Sequence, residues 1–230
     1  MMDPAPQSPA RRRRAFGLLA WREHWTLSRR GKWLLLGIAL GMLVAGHWIA
    51  YPFLAINRPL RGEALIVEGW ISVYTVHQAA AAFAAGHYRR VLVVRPLYEG
   101  EPGVIHGRSA GEYFASVLKR CGVPPEAVET VFFPGGAQDR TYHSALGVRQ
   151  WLADHGESVK SLDVATQGPH ARRSRLLYEK AFGGSARVGV IALEDPSYDG
   201  THWWRTSEGV RDVLGESVAY LYARFFFSPR

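Results

Sequence analysis

The sequence predicts an α/β protein in which a single doubly wound, mainly parallel five-stranded sheet of Rossmann-like type follows one N-terminal transmembrane helix. Two observations support this prediction. Beyond Asn57, short apolar runs alternate with segments of helical spacing, which is typical of parallel strands joined by crossover helices. Before Asn57, 22 consecutive residues contain no Asp, Glu, Lys or Arg, which is long enough for a helix to cross a bilayer.

The apolar runs and the helical spacing set the order of the predicted elements. Five apolar runs predict strands at residues 64–67, 91–94, 130–133, 162–166 and 188–193. Helical spacing of apolar residues predicts helices at residues 76–86, 110–120, 142–155, 171–182 and 207–227. Because a helix separates each strand from the next, the connections predict parallel pairing throughout the sheet.

The uncharged segment at residues 33–54 predicts a membrane anchor. Eight Lys and Arg residues precede it, against two acidic residues, whereas only Arg58 and Arg61 follow it closely. This charge bias places the N-terminus in the cytoplasm and the remainder of the chain across the membrane. A cleaved signal peptide is the alternative, although its apolar region is normally shorter, and Trp48 and Tyr51 suit a membrane interface.

These patterns divide the chain into three predicted regions. Residues 1–32 are expected to form a disordered basic tail, residues 33–54 the anchor, and residues 58–230 the α/β domain. The basic tail is expected to be attracted to anionic lipid headgroups. Gly37 and Gly41 form a GxxxG pattern, which either packs two anchors together as a homodimer or is simply a glycine pair of the kind common in anchors.

The charge distribution argues against nucleic acid as a partner. The first 32 residues hold eight cations and two acidic residues, so they supply +6 of the net charge of +8. The rest of the chain is close to neutral. Its composition therefore does not predict the basic surface that binds nucleic acid. Cys121 is the only cysteine, so no intramolecular disulfide can form. A domain of about 170 residues does not need one, and export to an oxidising compartment remains compatible.

Several common enzyme motifs are absent or lie in the wrong context. Residues 107–111 spell GxSxG, but the residues before them have loop composition, whereas a nucleophile elbow follows a buried strand. Ser109 and Glu112 instead predict a capping box at the start of a helix. The sequence contains no dinucleotide glycine fingerprint after the first strand, no GxxxxGK[ST] and no HExxH, and it has no dense metal-ligand cluster.

The most informative candidate site lies where the fourth predicted strand gives way to a helix. The strand stops at Gly168, and the following turns carry a histidine and three arginines, at positions 170, 172, 173 and 175. Cations at a helix N-terminus are electrostatically unfavourable unless an anion offsets them, which predicts an anion-binding site. The alternative is a solvated helix face, or ion pairs with Glu179 and Glu194.

The loops after the other strands add further candidate residues, because the carboxyl ends of parallel strands meet at one edge of a sheet. Gly135 and Gly136 form a predicted turn before a helix start that contains Arg140 and Thr141. This turn either presents backbone N–H groups to a phosphate or is an ordinary turn that leads to a helix N-cap.

Glu68 and Trp70 follow the first strand and each has more than one interpretation. Glu68 is a candidate general base, cation ligand or partner for an arginine, and otherwise a solvated residue at a strand end. Trp70 is placed either to stack on a planar or sugar ring or to cover the core.

Three segments together resemble the ElyC/SanA/YdcF family over roughly residues 64–223. They are Val67–Glu68–Gly69–Trp70, the helix start at residues 139–142, and the Thr166, His170 and Arg173 positions. The family's usual glycine-rich first loop is replaced here by Glu68–Gly69–Trp70. The resemblance implies a role in the bacterial envelope, with links to peptidoglycan or surface polysaccharide and to lipid carriers. It also implies S-adenosylmethionine as a possible cofactor, and a single-pass inner-membrane protein with a periplasmic domain.

We therefore expect an envelope biogenesis factor that binds an anionic ligand such as a phosphorylated sugar, a nucleotide or a lipid carrier. If it is an enzyme, we expect a hydrolase or transferase that acts on this ligand. The alternative is a non-enzymatic scaffold for envelope-synthesis proteins. His170 and Glu68 are the predicted catalytic residues, and no metal is expected. The predicted ligand-binding residues are Gly69, Trp70, Gly135, Gly136, Arg140, Thr141, Thr166, Arg172 and Arg173.

Overall fold

The computed structural model describes residues 13–14, 19–21, 25–97, 104–105, 108–134 and 138–229. The chain divides into two compact units, Met1–Ile49 and Ala50–Arg230. In the first unit, the described residues before the long helix form a small antiparallel sheet of Arg13–Arg14, Leu19–Trp21 and Trp25–Leu27. Most of the tail for which we predicted disorder lies outside the described residues.

Helix α1 spans Arg29–Leu54 and contains the predicted anchor. In the part of the chain that the structure describes, it is the one helix long and apolar enough to cross a membrane. Gly37 and Gly41 have no neighbouring atom within 4 Å of the position of an added Cβ. The homodimer through these glycines stays a prediction.

The second unit contains a five-stranded sheet in which all neighbouring strands are parallel. In chain order the strands are β1 (Ala64–Glu68), β2 (Arg90–Leu97), β3 (Val128–Pro134), β4 (Ser161–Gln167) and β5 (Arg187–Leu193). Their order across the sheet is β5-β4-β1-β2-β3. The predicted parallel sheet of five strands is confirmed.

Helices cover both faces of this sheet. They are α2 (Val73–Ala85), α3 (Ala110–Arg120), α4 (Arg140–Asp154), α5 (His170–Phe182) and α6 (Ser207–Phe225). Short 3₁₀ helices span Pro125–Ala127 and Gly200–Arg205, and a small hairpin pairs Val104–Ile105 with Arg108–Ser109.

Alternation of side chains along β1 explains how one strand serves two cores. Ala64 and Ile66 pack with α4, α5 and α6, whereas Leu65 and Val67 pack with α2 and α3. Successive side chains of a strand point to opposite faces, so a strand covered on both sides needs an uninterrupted apolar run. The run ends at Glu68, which follows Ile66 in the alternation and therefore points toward the α5 face.

The strand order determines where a binding cleft can form. From β1 the chain builds outward through β2 and β3, and then returns to place β4 on the other side of β1. The connections on the two sides of β1 use opposite faces of the sheet, which opens a crevice beyond the carboxyl ends of the strands. The loops predicted to converge therefore lie at this edge.

The last turn of α1 belongs to the second unit and packs into it. Leu54 is 1% exposed and forms a small core with Tyr198, Trp203 and Val213. The ring of Phe53 lies 5.5 Å from that of Tyr220 in α6, measured between centroids. The compact unit thus begins at Ala50, earlier than the residue 58 boundary that the sequence suggested.

A buried carboxylate fixes the segment between α1 and β1. Asp163 in β4 is fully buried and accepts hydrogen bonds from the backbone N–H groups of Leu60 (2.7 Å) and Gly62 (3.1 Å) and from the Tyr88 hydroxyl (2.8 Å). These charge-assisted bonds join the incoming chain to the centre of the sheet.

Candidate functional site

A cavity of about 510 Å³ lies at the carboxyl edge of the sheet. The ends of β1, β2 and β3, the first turns of α4 and α5, and one side of α6 form its walls. The lining residues are Glu68, Trp70, Val94, Arg95, Pro96, Phe133, Asp139, Arg140, Thr141, Ser144, His170, Arg173, Leu177, Ala219, Tyr222, Ala223 and Phe227.

Glu68 lies buried at this cavity, with only 1% of its surface exposed. Its Oε2 accepts hydrogen bonds from the hydroxyls of Thr166 (2.5 Å) and Ser174 (3.1 Å). Within the described residues, no donor reaches its Oε1. The interpretation of Glu68 as a solvated strand-end residue is therefore wrong.

The surroundings of Glu68 favour its protonated form. Burial raises the pKa of this carboxyl above its ordinary value, and the hydrogen bond from Thr166, the charge of Arg173 and the hydrogen bond from Ser174 offset only part of that effect. Since Oε2 already accepts two hydrogen bonds, the proton belongs on Oε1. The raised pKa therefore favours a carboxylic acid over a carboxylate at this wall of the cavity.

Arg173 crosses from α5 to α6 and forms a two-pronged ion pair with Glu216. Its Nε and Nη2 donate to the two carboxylate oxygens at 2.7 and 2.9 Å, and its Nη1 donates to the Thr141 hydroxyl at 3.2 Å. Burial lowers the pKa of Arg173, but the hydrogen bond and charge of Glu216 outweigh it and leave the pKa raised. The charge of Arg173 is offset inside the protein.

His170 stands at the first position of α5, between this ion pair and Trp70. Its Nδ1 lies 2.8 Å from Nη2 of Arg173 and 3.2 Å from Oε1 of Glu216. An arginine can only donate, so Nδ1 accepts and the imidazole proton resides on Nε2. Burial and the charges of Arg173 and Arg140 lower the pKa of His170 well below its usual range, which keeps the ring neutral.

Trp70 covers one side of His170. The two ring centroids lie 4.2 Å apart with an angle of 49° between the ring planes, and Trp70 remains 46% exposed. A half-exposed indole at a cavity is available to stack on a ligand ring. The structure therefore favours stacking over a role in covering the core.

Three charged side chains complete the polar part of the cavity. Arg140 is exposed at the start of α4, and the described residues provide it with no ion pair. Arg95 donates to the carbonyl of Gly69 at 2.8 Å. Asp139 adopts a left-handed backbone with a φ of 49° directly before α4, a conformation that aspartate tolerates better than most residues.

The remaining wall is apolar. Residues of β2, β3, α5, α6 and the segment after α6 contribute it, namely Val94, Pro96, Phe133, Leu177, Ala219, Tyr222, Ala223 and Phe227. Deeper in the protein, Ser144 and the fully buried Tyr178 share a hydrogen bond of 2.9 Å. A ligand that fits this cavity has a polar end and an apolar end.

The structure brings most of the predicted site residues together. Glu68, Trp70, Arg140, Thr141, His170 and Arg173 line the cavity, and Thr166 supports Glu68 from behind. Gly69 has a packing role, because an added Cβ would lie 2.7 Å from the carbonyl oxygen of Val94. Gly135 and Gly136 lie outside the described residues.

Two arginines of the predicted cation cluster point elsewhere. Arg172 donates to the carbonyl of Phe53 and places its guanidinium 3.9 Å from the centre of the Phe53 ring, outside the cavity lining. Arg175 pairs with Glu179 at 2.9 Å on the helix surface, as the solvated-face interpretation predicts for that residue. Helical rotation separates these side chains from Arg173.

Sequence reasoning missed the contribution of α6. Glu216 lies 43 positions from Arg173, and its spacing in α6 gives no sign of a partner in α5. An acidic residue on the buried side of an otherwise apolar helix was the available signal, because a fully buried carboxylate requires a partner. Ser174 was overlooked for a similar reason, since a serine within a helix is ordinary.

The GxSxG sequence lies at the start of a helix in the structure. Helix α3 begins at Ala110, immediately after Ser109 of the GxSxG sequence, which is where the capping interpretation places a helix start. Among the described residues, no group of three or more His, Cys, Asp and Glu side chains is arranged to hold a metal ion.

The chain matches no known protein-family model and no curated protein. Its cavity geometry and its sequence patterns therefore carry the functional argument.

Removing Glu216 alone should strongly destabilise the protein. Glu216→Ala leaves the largely buried Arg173 guanidinium without its counter-charge, and we expect a loss of about 3–5 kcal/mol in the free energy of unfolding. Urea denaturation measures this loss. The double variant Arg173→Met with Glu216→Leu should recover most of it, and a double variant as unstable as Glu216→Ala would contradict the account.

The pKa of Glu68 predicts a specific pH dependence of stability. Its pKa is raised in the folded protein above the ordinary value of 4.5, so its stabilising contribution is complete at low pH and is lost as the pH rises through the raised pKa. Glu68→Gln lacks this titration, so its melting temperature should gain on that of the wild type as the pH rises. The exposed Glu126→Gln is the control, and an equal trend in both variants would refute the assignment.

Proposed function

We propose that this protein is a membrane-anchored factor of the bacterial cell envelope whose α/β domain binds a small phosphorylated ligand that also carries hydroxyl groups. The observation that carries the proposal is the buried carboxyl of Glu68, a residue that lines the cavity and whose Oε1 has no hydrogen-bond partner among the described residues. A buried polar atom of this kind normally has a partner, and a ligand hydroxyl would supply it.

The charge of the cavity supports a ligand with one anionic group. Among the arginines that line the cavity, Arg140 has no ion pair with a described residue. Arg173 is occupied by Glu216, so Arg140 at the rim is the cation best placed to bind a phosphate. We therefore propose Arg140 as the main anion-binding residue, in place of Arg172 and Arg173.

Other residues of the cavity indicate which chemical groups the rest of the ligand carries. Trp70 offers an exposed aromatic face for a sugar or base ring, and Phe133 and Leu177 offer an apolar surface beyond it. The cavity volume of about 510 Å³ accommodates a molecule of the size of a sugar phosphate or a nucleotide. S-adenosylmethionine, which the family resemblance implies, is a further ligand of this size class.

Glu68 and His170 have different roles in the cavity. In a hydrolase or transferase acting on the phosphorylated ligand, the Glu68 carboxyl would protonate the departing oxygen as water or an acceptor hydroxyl attacks, because burial raises its pKa and favours the protonated form. Neutral His170 carries its proton on Nε2 while Arg173 fixes its other nitrogen. It can donate a hydrogen bond to the ligand but cannot act as the acid, because loss of that proton would leave an imidazolate.

The cellular setting rests on α1 and on the family resemblance. The apolar α1 and the basic residues before it support a single-pass inner-membrane protein with a cytoplasmic N-terminus and a periplasmic domain. The strand order and the helices on both faces support a Rossmann-like assignment, with the ligand at the edge where that fold binds its ligands.

A scaffold for envelope-synthesis proteins is the second candidate function. The outward side of α6 exposes several large apolar residues, as a surface that contacts a partner would. A scaffold would retain its partners when the cavity residues are substituted.

Ligand binding provides the test of the proposed function. We would screen the full-length protein in detergent by native mass spectrometry against sugar phosphates, nucleotides, nucleotide sugars, S-adenosylmethionine and polyprenyl phosphates. Loss of one charge-assisted contact should weaken binding of a phosphorylated compound about tenfold in Arg140→Ala.

Two variants sharpen this experiment. Glu68→Leu should weaken binding of the same compound, because it removes the polar atoms that would meet a ligand hydroxyl. Arg175→Ala is the matched control, since it removes an α5 arginine that pairs with Glu179 outside the cavity. Equal losses in Arg140→Ala and Arg175→Ala, or no binding by the wild type, would refute the proposal.

A further inference from the structure

The outer face of α6, which we define as Leu214, Val218, Leu221 and Phe225, is apolar and exposed. These side chains are 54%, 69%, 52% and 71% exposed, respectively. Their spacing places them within one narrow stripe along three turns of the helix. At about 1.5 Å per residue the stripe is about 17 Å long. It forms a continuous apolar surface, unlike scattered apolar residues, which are normal on soluble proteins.

The inward side of the same helix is fully used by the fold. Val213 and Ala223 are buried in two different cores, and Glu216 is paired with Arg173. Packing within the domain therefore does not explain why the outer face is apolar as well. An apolar helix face is ordinarily covered by protein or by lipid.

The position of α6 indicates which of these covers it. Tyr220 contacts Phe53, and Val213 packs with Leu54, so α6 lies beside the last turn of α1. In the proposed function this turn is the point where the chain leaves the bilayer. A surface held next to that point is close to the membrane whether or not any partner is present.

The charges on α6 suit a membrane surface. Arg211 and Arg224 lie near the two ends of the outer face and are exposed, which allows them to reach lipid phosphates. Glu208 and Asp212 lie toward the N-terminal end of the helix, and Asp212 is paired with Arg211 at 3.6 Å. No acidic residue lies between Leu214 and Phe225 except the buried Glu216.

Other residues of α6 line the cavity. Tyr222 is half exposed beside the stripe and lines the cavity, and the inward residues Ala219 and Ala223 line it as well. The helix is therefore the wall that separates the ligand site from the surface described above. A ligand whose apolar tail lies in a membrane would meet this wall first.

We propose that the outer face of α6 inserts into the bilayer surface, and that the cavity consequently accepts a phosphorylated headgroup carried on a membrane lipid. This inference rests on the proposed function and specifies its substrate class. The phosphate meets Arg140, the headgroup hydroxyls meet Glu68, and the lipid tail leaves the cavity past Tyr222 toward the membrane.

Depth-dependent fluorescence quenching tests the membrane contact. In a Cys121→Ser background, a Val218→Cys variant carries an environment-sensitive dye, with the full-length protein in nanodiscs of phosphatidylethanolamine and phosphatidylglycerol. Lipids bearing a spin label should quench this dye several-fold more than a dye at Lys119→Cys. Lys119 is exposed on α3, which packs on the opposite face of the sheet. Equal quenching at both positions, or protection of the Val218 dye by a second copy or another protein without lipid quenching, would overturn the proposal.

A binding comparison separates this inference from the proposed function. Val218→Glu combined with Leu221→Glu should lower capture of a polyprenyl phosphate from nanodiscs about tenfold, and should leave binding of a soluble phosphorylated compound unchanged. Thermal unfolding checks that the double variant folds. Equal capture of the lipid by the double variant would refute the α6 contact, whereas failure of the wild type to bind either compound would refute the proposed function itself.

Discussion

The ion pair between Arg173 and Glu216 is the interaction on which the candidate site depends. It joins α5, which follows a central strand, to α6, the last helix, and so closes one side of the cavity. A charged pair that is this strongly buried is costly to dehydrate, and it is stabilising only when its geometry is complete. Here both carboxylate oxygens of Glu216 accept hydrogen bonds from Arg173. Thr141 accepts a hydrogen bond from Nη1 and His170 accepts one from Nη2.

This ion pair also influences the protonation of His170 and Glu68. The positive charge of Arg173 helps to keep His170 neutral, and its hydrogen bond fixes which imidazole nitrogen carries the proton. Glu68 receives only partial compensation from the same arginine, because burial dominates its pKa. The site thus contains a buried acid and a neutral imidazole separated by a compensated ion pair, a combination that supports binding of hydroxyl groups and proton transfer.

Much of the fold could be predicted because parallel strands buried on both faces leave a strong pattern of apolar runs. The convergence of Glu68, His170 and Arg173 was also predictable, since all three follow strands whose carboxyl ends meet at one edge. What could not be predicted depends on tertiary packing. Arg172 and Arg173 are neighbours in sequence, yet the helical rotation between them decides which one enters the cavity. Similarly, composition could not show that Leu54, at the end of an apolar helix, packs in the domain core.

The most direct test of the account is the protonation state of Glu68, measured by infrared spectroscopy of the full-length protein during a pH titration. The account predicts that the C=O band of one protonated carboxylic acid persists above the ordinary glutamate pKa of 4.5 and is absent in Glu68→Gln. A wild-type protein in which every carboxyl titrates near the ordinary value, with a spectrum equal to that of Glu68→Gln, would contradict it. In that case the cavity would present a carboxylate, and the proposed proton donor would be lost.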